Sequence, residues 1–314
     1  MFGQRPLCDY KRATMLRLAS KLRPLAAIFA LILLAPGGQQ AFAAQGPSLA
    51  SLRIAGAAEI QDVFIRAPRN VSSSEPLQVL IALHGMGGNG ADFGGALASH
   101  ADAQGWLIVA PTISYGDWTD PNQIMHEEPA LVAWLSDYVR HLGERTGYSV
   151  QPRVLLFGHS RGAQLALRFT EVHPEEVAGV AAASAGTYTL PFSRDQHTGK
   201  ALQFPFGVAN MAQTNGGQTF DARKFESVPI WIGVGAADSS DADVPDEWDQ
   251  YIGPDRLDRA LAFTQALQTL GADVKLLVFP NTGHALTDAM RGAGCDYLAA
   301  AVASDQSAPS ASAT

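Results

Sequence analysis

The stretch Arg153-Val-Leu-Leu-Phe157-Gly158-His159-Ser160-Arg161-Gly162 carries an apolar, strand-like run directly into a Gly-x-Ser-x-Gly turn, and helical spacing resumes over 164–172. In that setting the two glycines permit a tight strand-to-helix turn, and Ser160 projects its hydroxyl above the end of the strand. Runs of similar character lie at 78–83, 106–110, 177–183, 229–234 and 274–279. Near-continuous apolar runs of this length suit parallel strands covered on both faces by helices. Residues 52–58 and 59–67 read as two adjoining strands ahead of them, while 91–104, 129–145, 255–270 and 285–303 show helical spacing. Two strands followed by repeated strand–helix units predict an α/β chain. It has one mostly parallel, doubly wound sheet of eight strands with helices on both faces.

A serine hydroxyl is a weak nucleophile until a base removes its proton, and the base needs an acid to orient it. Of the eight histidines, His284 is placed for that task, in Asn281-Thr-Gly-His284 just after the last predicted strand. That position is at the carboxyl edge of the sheet, where Ser160 also lies. The acid is expected between serine and histidine in chain order. Asp238, in Gly233-Val-Gly-Ala-Ala-Asp238, follows the penultimate strand and meets that condition, with Asp241 and Asp243 as alternatives.

A negative oxygen developing on a substrate needs backbone N–H donors. Leu83-His84-Gly85-Met86-Gly87-Gly88 closes the third strand and offers the Met86 N–H; Arg161, at the start of a helix, offers the second. His84 reads as a brace for its loop, and His159 as packing beside the elbow. Tyr115 and Trp118, in Tyr115-Gly-Asp-Trp118 after the fourth strand, are candidates to line a substrate cleft. Tyr188 and Phe206 are candidates to shape the pocket beyond it. The latter two fall in a segment at about 185–228 that lacks periodicity and suits a lid or binding loop.

Residues 1–43 hold six basic side chains and one acid, Asp9. The rest of the chain then has 16 basic and 29 acidic side chains, a net charge near −13, which argues against nucleic acid as a partner. The basic start runs into the apolar Leu25-Ala-Ala-Ile-Phe-Ala-Leu-Ile-Leu-Leu-Ala35, a Pro-Gly-Gly break and Ala41-Phe-Ala43. This is the pattern of a signal peptide cleaved after Ala43, and eleven apolar residues are too few for a permanent membrane anchor. A secreted or periplasmic protein is expected. Cys8 leaves with the leader and Cys295 remains alone, so no internal disulfide is expected. Metal-ligand spacing, a dinucleotide-binding glycine fingerprint and a P-loop are all missing from the sequence, and neither metal nor cofactor is expected.

Taken together, His84-Gly-Met-Gly-Gly88, Gly158-His-Ser-Arg-Gly162, Gly235-Ala-Ala-Asp238 and Gly283-His284 resemble the α/β-hydrolase superfamily over residues 52–303. More narrowly, the leader, the strand-His-Gly loop and Val278-Phe-Pro-Asn-Thr-Gly-His284 are similar to secreted bacterial esterases of the polyhydroxybutyrate-depolymerase and feruloyl-esterase type. The resemblance implies the α/β-hydrolase fold and one catalytic domain over 44–303; the Ser/Ala-rich tail at 304–314 is expected to be flexible. It also implies a Ser160–His284–Asp238 serine esterase without a cofactor, acting on small-molecule or polymeric esters. A serine peptidase or an acyltransferase uses the same machinery. A non-catalytic exported binding protein on the same scaffold is the alternative from another class.

Overall fold

In the computed structural model, which describes residues 52–53, 58–69 and 75–307, the apolar runs pair into one sheet. Its strands are β1 (Leu52–Arg53), β2 (Glu59–Arg66), β3 (Val79–Leu83), β4 (Leu107–Ser114), β5 (Val154–His159), β6 (Val177–Ala183), β7 (Ile230–Gly235) and β8 (Val274–Phe279). They lie in the order β1-β2-β4-β3-β5-β6-β7-β8. The β1–β2 and β2–β4 pairs are antiparallel and all others parallel, so the sheet is mostly parallel as expected. Seven strands have five residues or more; β1 is a two-residue edge strand.

The helices are α1 (Gly90–Ala96), α2 (Ala98–Gln104), α3 (Pro121–Arg140), α4 (Leu142–Thr146), α5 (Arg161–Val172), α6 (Met211–Thr214), α7 (Ala222–Glu226), α8 (Asp249–Ile252), α9 (Arg256–Leu270) and α10 (Asp288–Ser307). The two-residue strand period sorts side chains between two apolar layers. Val79, Ile81 and Leu83 pack with α3, α5 and α9, whereas Leu80, Ala82, Leu155 and Phe157 pack with α2 and α10. In β6 every residue is buried and the sequence is VAGVAAA. Small side chains there let α10 approach closely: a Cβ on Gly179 would lie 3.3 Å from Leu298.

Several boundaries differ from expectation, each for a local reason. Helix α3 begins at Pro121 rather than 129: Asp120 caps it, accepting from the Asn122 N–H, and Pro121 occupies the first position, where its missing N–H costs nothing. Pro129 then sits inside the helix, where it removes one intrahelical bond without ending it. The predicted helix at 91–104 is broken at Leu97 into α1 and α2. As an edge strand, β8 leaves Lys275 and Val278 exposed instead of being covered on both faces. Residues 304–307, expected in the flexible tail, continue α10; the rest of that tail and the expected leader at 1–43 lie outside the described residues. Segment 185–228 is folded, with bridges Leu190–Gly207 and Arg194–Ala201 and the short helices α6 and α7. Among the described residues no helix is long and apolar enough to cross a membrane.

Candidate active site

Ser160 joins β5 to α5 with φ 53° and ψ −119°, a conformation strained for a residue with a Cβ. The surrounding packing imposes it. The Ser160 N–H donates to Ala183 O at 2.9 Å, which ties the turn to β6. A Cβ on Gly158 would fall 2.3 Å from Gly162 O, and one on Gly162 would fall 2.0 Å from Leu83 O. Only glycine at both positions lets the start of α5 lie against β3 and β5. The elbow therefore lifts Ser160 to the carboxyl edge of the sheet, as its sequence predicts.

The loops after β7 and β8 are joined to each other. The Ala236 N–H donates to Phe279 O and the Ala237 N–H to Thr282 O, both at 2.8 Å. A Cβ on Gly235 would lie 2.1 Å from Thr282 O, so glycine is needed for this approach. The two loops bring Asp238 and His284 together, with His284 Nδ1 3.0 Å from Asp238 Oδ2. On its other side His284 Nε2 stands 3.1 Å from Ser160 Oγ. Asp238, the expected acid, thus meets the imidazole, while its alternatives Asp241 and Asp243 are exposed and make no bond to it.

Burial pushes the Asp238 carboxyl upward, but the hydrogen bond and charge of His284 and the charge of Arg256 outweigh it, and its pKa is lowered overall. Arg256 reaches Asp238 Oδ1 at 3.4 Å and donates to Asp243 O at 2.9 Å. His159 stacks on His284 with ring centroids 5.2 Å apart. Burial, reinforced by the nearby His284 and Arg256 and only partly offset by Asp238, brings the His159 pKa down to about 4. The neighbour of the His284 imidazole is therefore a neutral ring at pH 7.

Across the cleft, Met86 lies in the loop after β3, behind His84 and Gly85. The buried His84 braces this loop: its Nε2 accepts from the Ile113 N–H at 2.9 Å. That bond requires an unprotonated Nε2, so Nδ1 carries the proton and donates to Gly85 O at 2.6 Å. Burial lowers the His84 pKa and keeps this tautomer neutral. Gly87, with φ 70°, completes the turn, and the Gly88 N–H closes it on Gly85 O at 3.1 Å.

Arg161 opens α5, where a backbone N–H has no carbonyl one turn earlier to accept it. Its side chain enters a buried ionic cluster that sequence reasoning missed. Its guanidinium donates to Glu127 at 2.6 Å and to Glu128 at 2.5 Å, and lies over the Tyr115 ring. Glu127 also accepts the Gly116 N–H at 2.7 Å, which joins the loop after β4 to the residue after the serine. Reading Asp120-Pro121 as a helix start would have placed both glutamates on α3.

Ser160, His284, Met86 and Arg161 all line one cleft of about 310 Å³, with Trp118 at its rim. The other aromatic candidates do not line it. Tyr115 is buried beneath Arg161, Tyr188 stacks on Phe263, and Phe206 packs on Trp248 and Tyr251. From segment 185–228 Gly186 lines the cleft; Val244 and Pro245, beyond β7, supply the facing wall.

A family profile for the alpha/beta hydrolase fold matches residues 78–228. No curated protein sequence matches the chain. Among solved structures it is similar to poly(aspartic acid) hydrolase-1 from Sphingomonas sp. KT-1, with 22% identity and a TM-score of 0.54 over 77% of this chain and 91% of that one. It is also similar to a phospholipase/carboxylesterase from Dyadobacter fermentans DSM 18053, with 19% identity and a TM-score of 0.48 over 75% of this chain and 95% of that one. Identity this low speaks for architecture alone. The strand order, the elbow between β5 and α5 and the profile agree, and the chain has the α/β-hydrolase fold.

Proposed function

We propose that the protein is a serine hydrolase that cleaves carboxylic esters through an acyl-enzyme intermediate. The observation that carries this reading is the continuous path Ser160 Oγ–His284 Nε2 (3.1 Å) and His284 Nδ1–Asp238 Oδ2 (3.0 Å), ending in an open cleft. His284 takes the Ser160 proton as the oxygen attacks the ester carbonyl. Asp238 holds the imidazole with Nδ1 protonated, so that Nε2 is the base, and then stabilises the imidazolium. The Met86 and Arg161 amides receive the charge on the carbonyl oxygen. His284 returns the proton to the leaving alcohol, and water releases the acyl group by the same route.

Substrates are small to medium esters or polyester fragments, which an open cleft of this size admits. The leader pattern of residues 1–43 supports an exported, secreted or periplasmic protein, processed after Ala43. The test is labelling with an organophosphonate, followed by mass spectrometry. Wild type should carry the label on Ser160, and Ser160→Ala should lose both label and turnover, by up to ~10⁶-fold in kcat. Label on another residue, or more than a few per cent of activity left in Ser160→Ala, would overturn the assignment.

A further inference from the structure

One turn beyond the nucleophile, α5 presents Gln164 to the cleft, and the orientation of its amide is fixed by its neighbours. Its Oε1 accepts from Arg161 Nη1 at 2.7 Å and Thr187 Oγ1 at 2.9 Å, with Arg168 Nη1 a further 3.5 Å contact. Arginine only donates, so the atom it meets must be the oxygen and the other end of the amide must be –NH₂. The residue is 4% exposed, yet Nε2 has no acceptor among the described residues. It faces the cleft beside Gly186: a Cβ built there would lie 3.1 Å from Gln164 Nε2, 3.3 Å from Val244 Cγ1 and 3.7 Å from Arg256 Nε. Gly186 therefore leaves a small hollow lined by Val244, by the Gln164 donor and by the Arg256 guanidinium, whose Nε is itself without an acceptor among the described residues, about 6 Å along the helix from Ser160.

Resting on Ser160 as the nucleophile, we propose that Gln164 Nε2 and Gly186 form a specificity subsite. It selects esters bearing a second, uncharged oxygen acceptor (ether, hydroxyl or carbonyl) a few bonds from the reacting carbonyl. A donor that opens to the cleft and has no acceptor among the described residues favours a substrate that satisfies it over one that presents only methylene. The charges around it favour a neutral acceptor. Arg256 is already engaged by Asp238 and the Asp243 carbonyl, and Asp243 itself lines the cleft. An anionic group would find the Arg256 charge already balanced by Asp238 and would meet the Asp243 carboxylate.

The test compares 4-nitrophenyl pentanoate with 4-nitrophenyl 3-methoxypropanoate, which replaces one methylene by oxygen at equal length. Each kcat/KM is divided by the ester's own hydroxide-catalysed rate to remove inductive activation. Wild type should favour the methoxy ester by about tenfold, the effect of one neutral hydrogen bond. Gly186→Ala, which fills the hollow, and Gln164→Leu, which removes the donor, should each bring the ratio to about one; thermal melting checks that both fold. A wild-type ratio near one, or a ratio unchanged in folded Gly186→Ala, overturns the subsite while Ser160 labelling stands. If Ser160 takes no label, the hydrolase reading fails first and the subsite with it.

Discussion

Gly162→Ala isolates what the elbow requires of its sequence. A Cβ at this position would lie 2.0 Å from Leu83 O, 2.4 Å from Leu83 C and 2.6 Å from His84 O. All three are backbone atoms, so no side chain can swing aside. Reaching even 3.0 Å from Leu83 O requires α5 and β3 to part by about 1 Å, in a core packed to crystal-like density. Overpacking of this kind costs about 1–3 kcal/mol of stability. The same movement carries Arg161 N–H and Ser160 Oγ away from Met86 and His284, and a displacement near 1 Å costs about 10²-fold in rate. Urea unfolding and kcat/KM on a short-chain ester read the two effects. Gly95→Ala is the control: nothing lies within 4 Å of the added methyl, the residue is exposed on α1, and a gain of about 0.5–1 kcal/mol is expected. A Gly162→Ala protein with wild-type unfolding midpoint and turnover would refute the reasoning.

Three further outcomes follow from named contacts. Asp238→Asn should fold yet lose about 10³–10⁴-fold in kcat, because an amide no longer fixes the tautomer of His284; steady-state kinetics on purified protein decide it. His84→Phe leaves the Ile113 N–H without its acceptor, and chemical denaturation should show a loss of about 1–3 kcal/mol. Glu171 is wholly buried with neither oxygen bonded; burial raises its pKa well above the ordinary value, Glu128 adds to this, and Arg168 offsets part of it. A carboxyl raised on folding costs stability as pH climbs past its unfolded value, about 4.3, towards its folded one. Glu171→Gln should therefore stabilise the protein more at pH 8 than at pH 5, and equal gains at both would contradict the buried-acid account.

The strands were legible because parallel strands under two helical layers must be apolar throughout, and β3, β6 and β7 are. Ser160, Asp238 and His284 were legible because each follows a parallel strand, β5, β7 or β8, on the same edge. The cleft walls were not. Gln164, Gly186 and Val244 lie on three separate elements, and nothing local marks their convergence. Aromatic size was a poor guide as well. Thr187 and Thr189 turn to Arg168, which sends Tyr188 the opposite way, onto Phe263. Glu127 and Glu128 escaped notice because the helical spacing reads from Pro129 onward, when the helix begins at Pro121.

The stitching between the loops after β7 and β8 divides the site unevenly. Ala236 and Ala237 bind the base's loop to the acid's, whereas the serine is anchored separately, to β6 through Ala183. On the proposed mechanism, a nudge delivered from the β8 margin should carry the His284 loop and the Asp238 loop together and change the reach of the imidazole to the hydroxyl. Under the proposed function, substitutions along that outer flank would act as a dial on the first proton transfer. This gives evolution, or an engineer, a way to retune rate without dismantling the machinery.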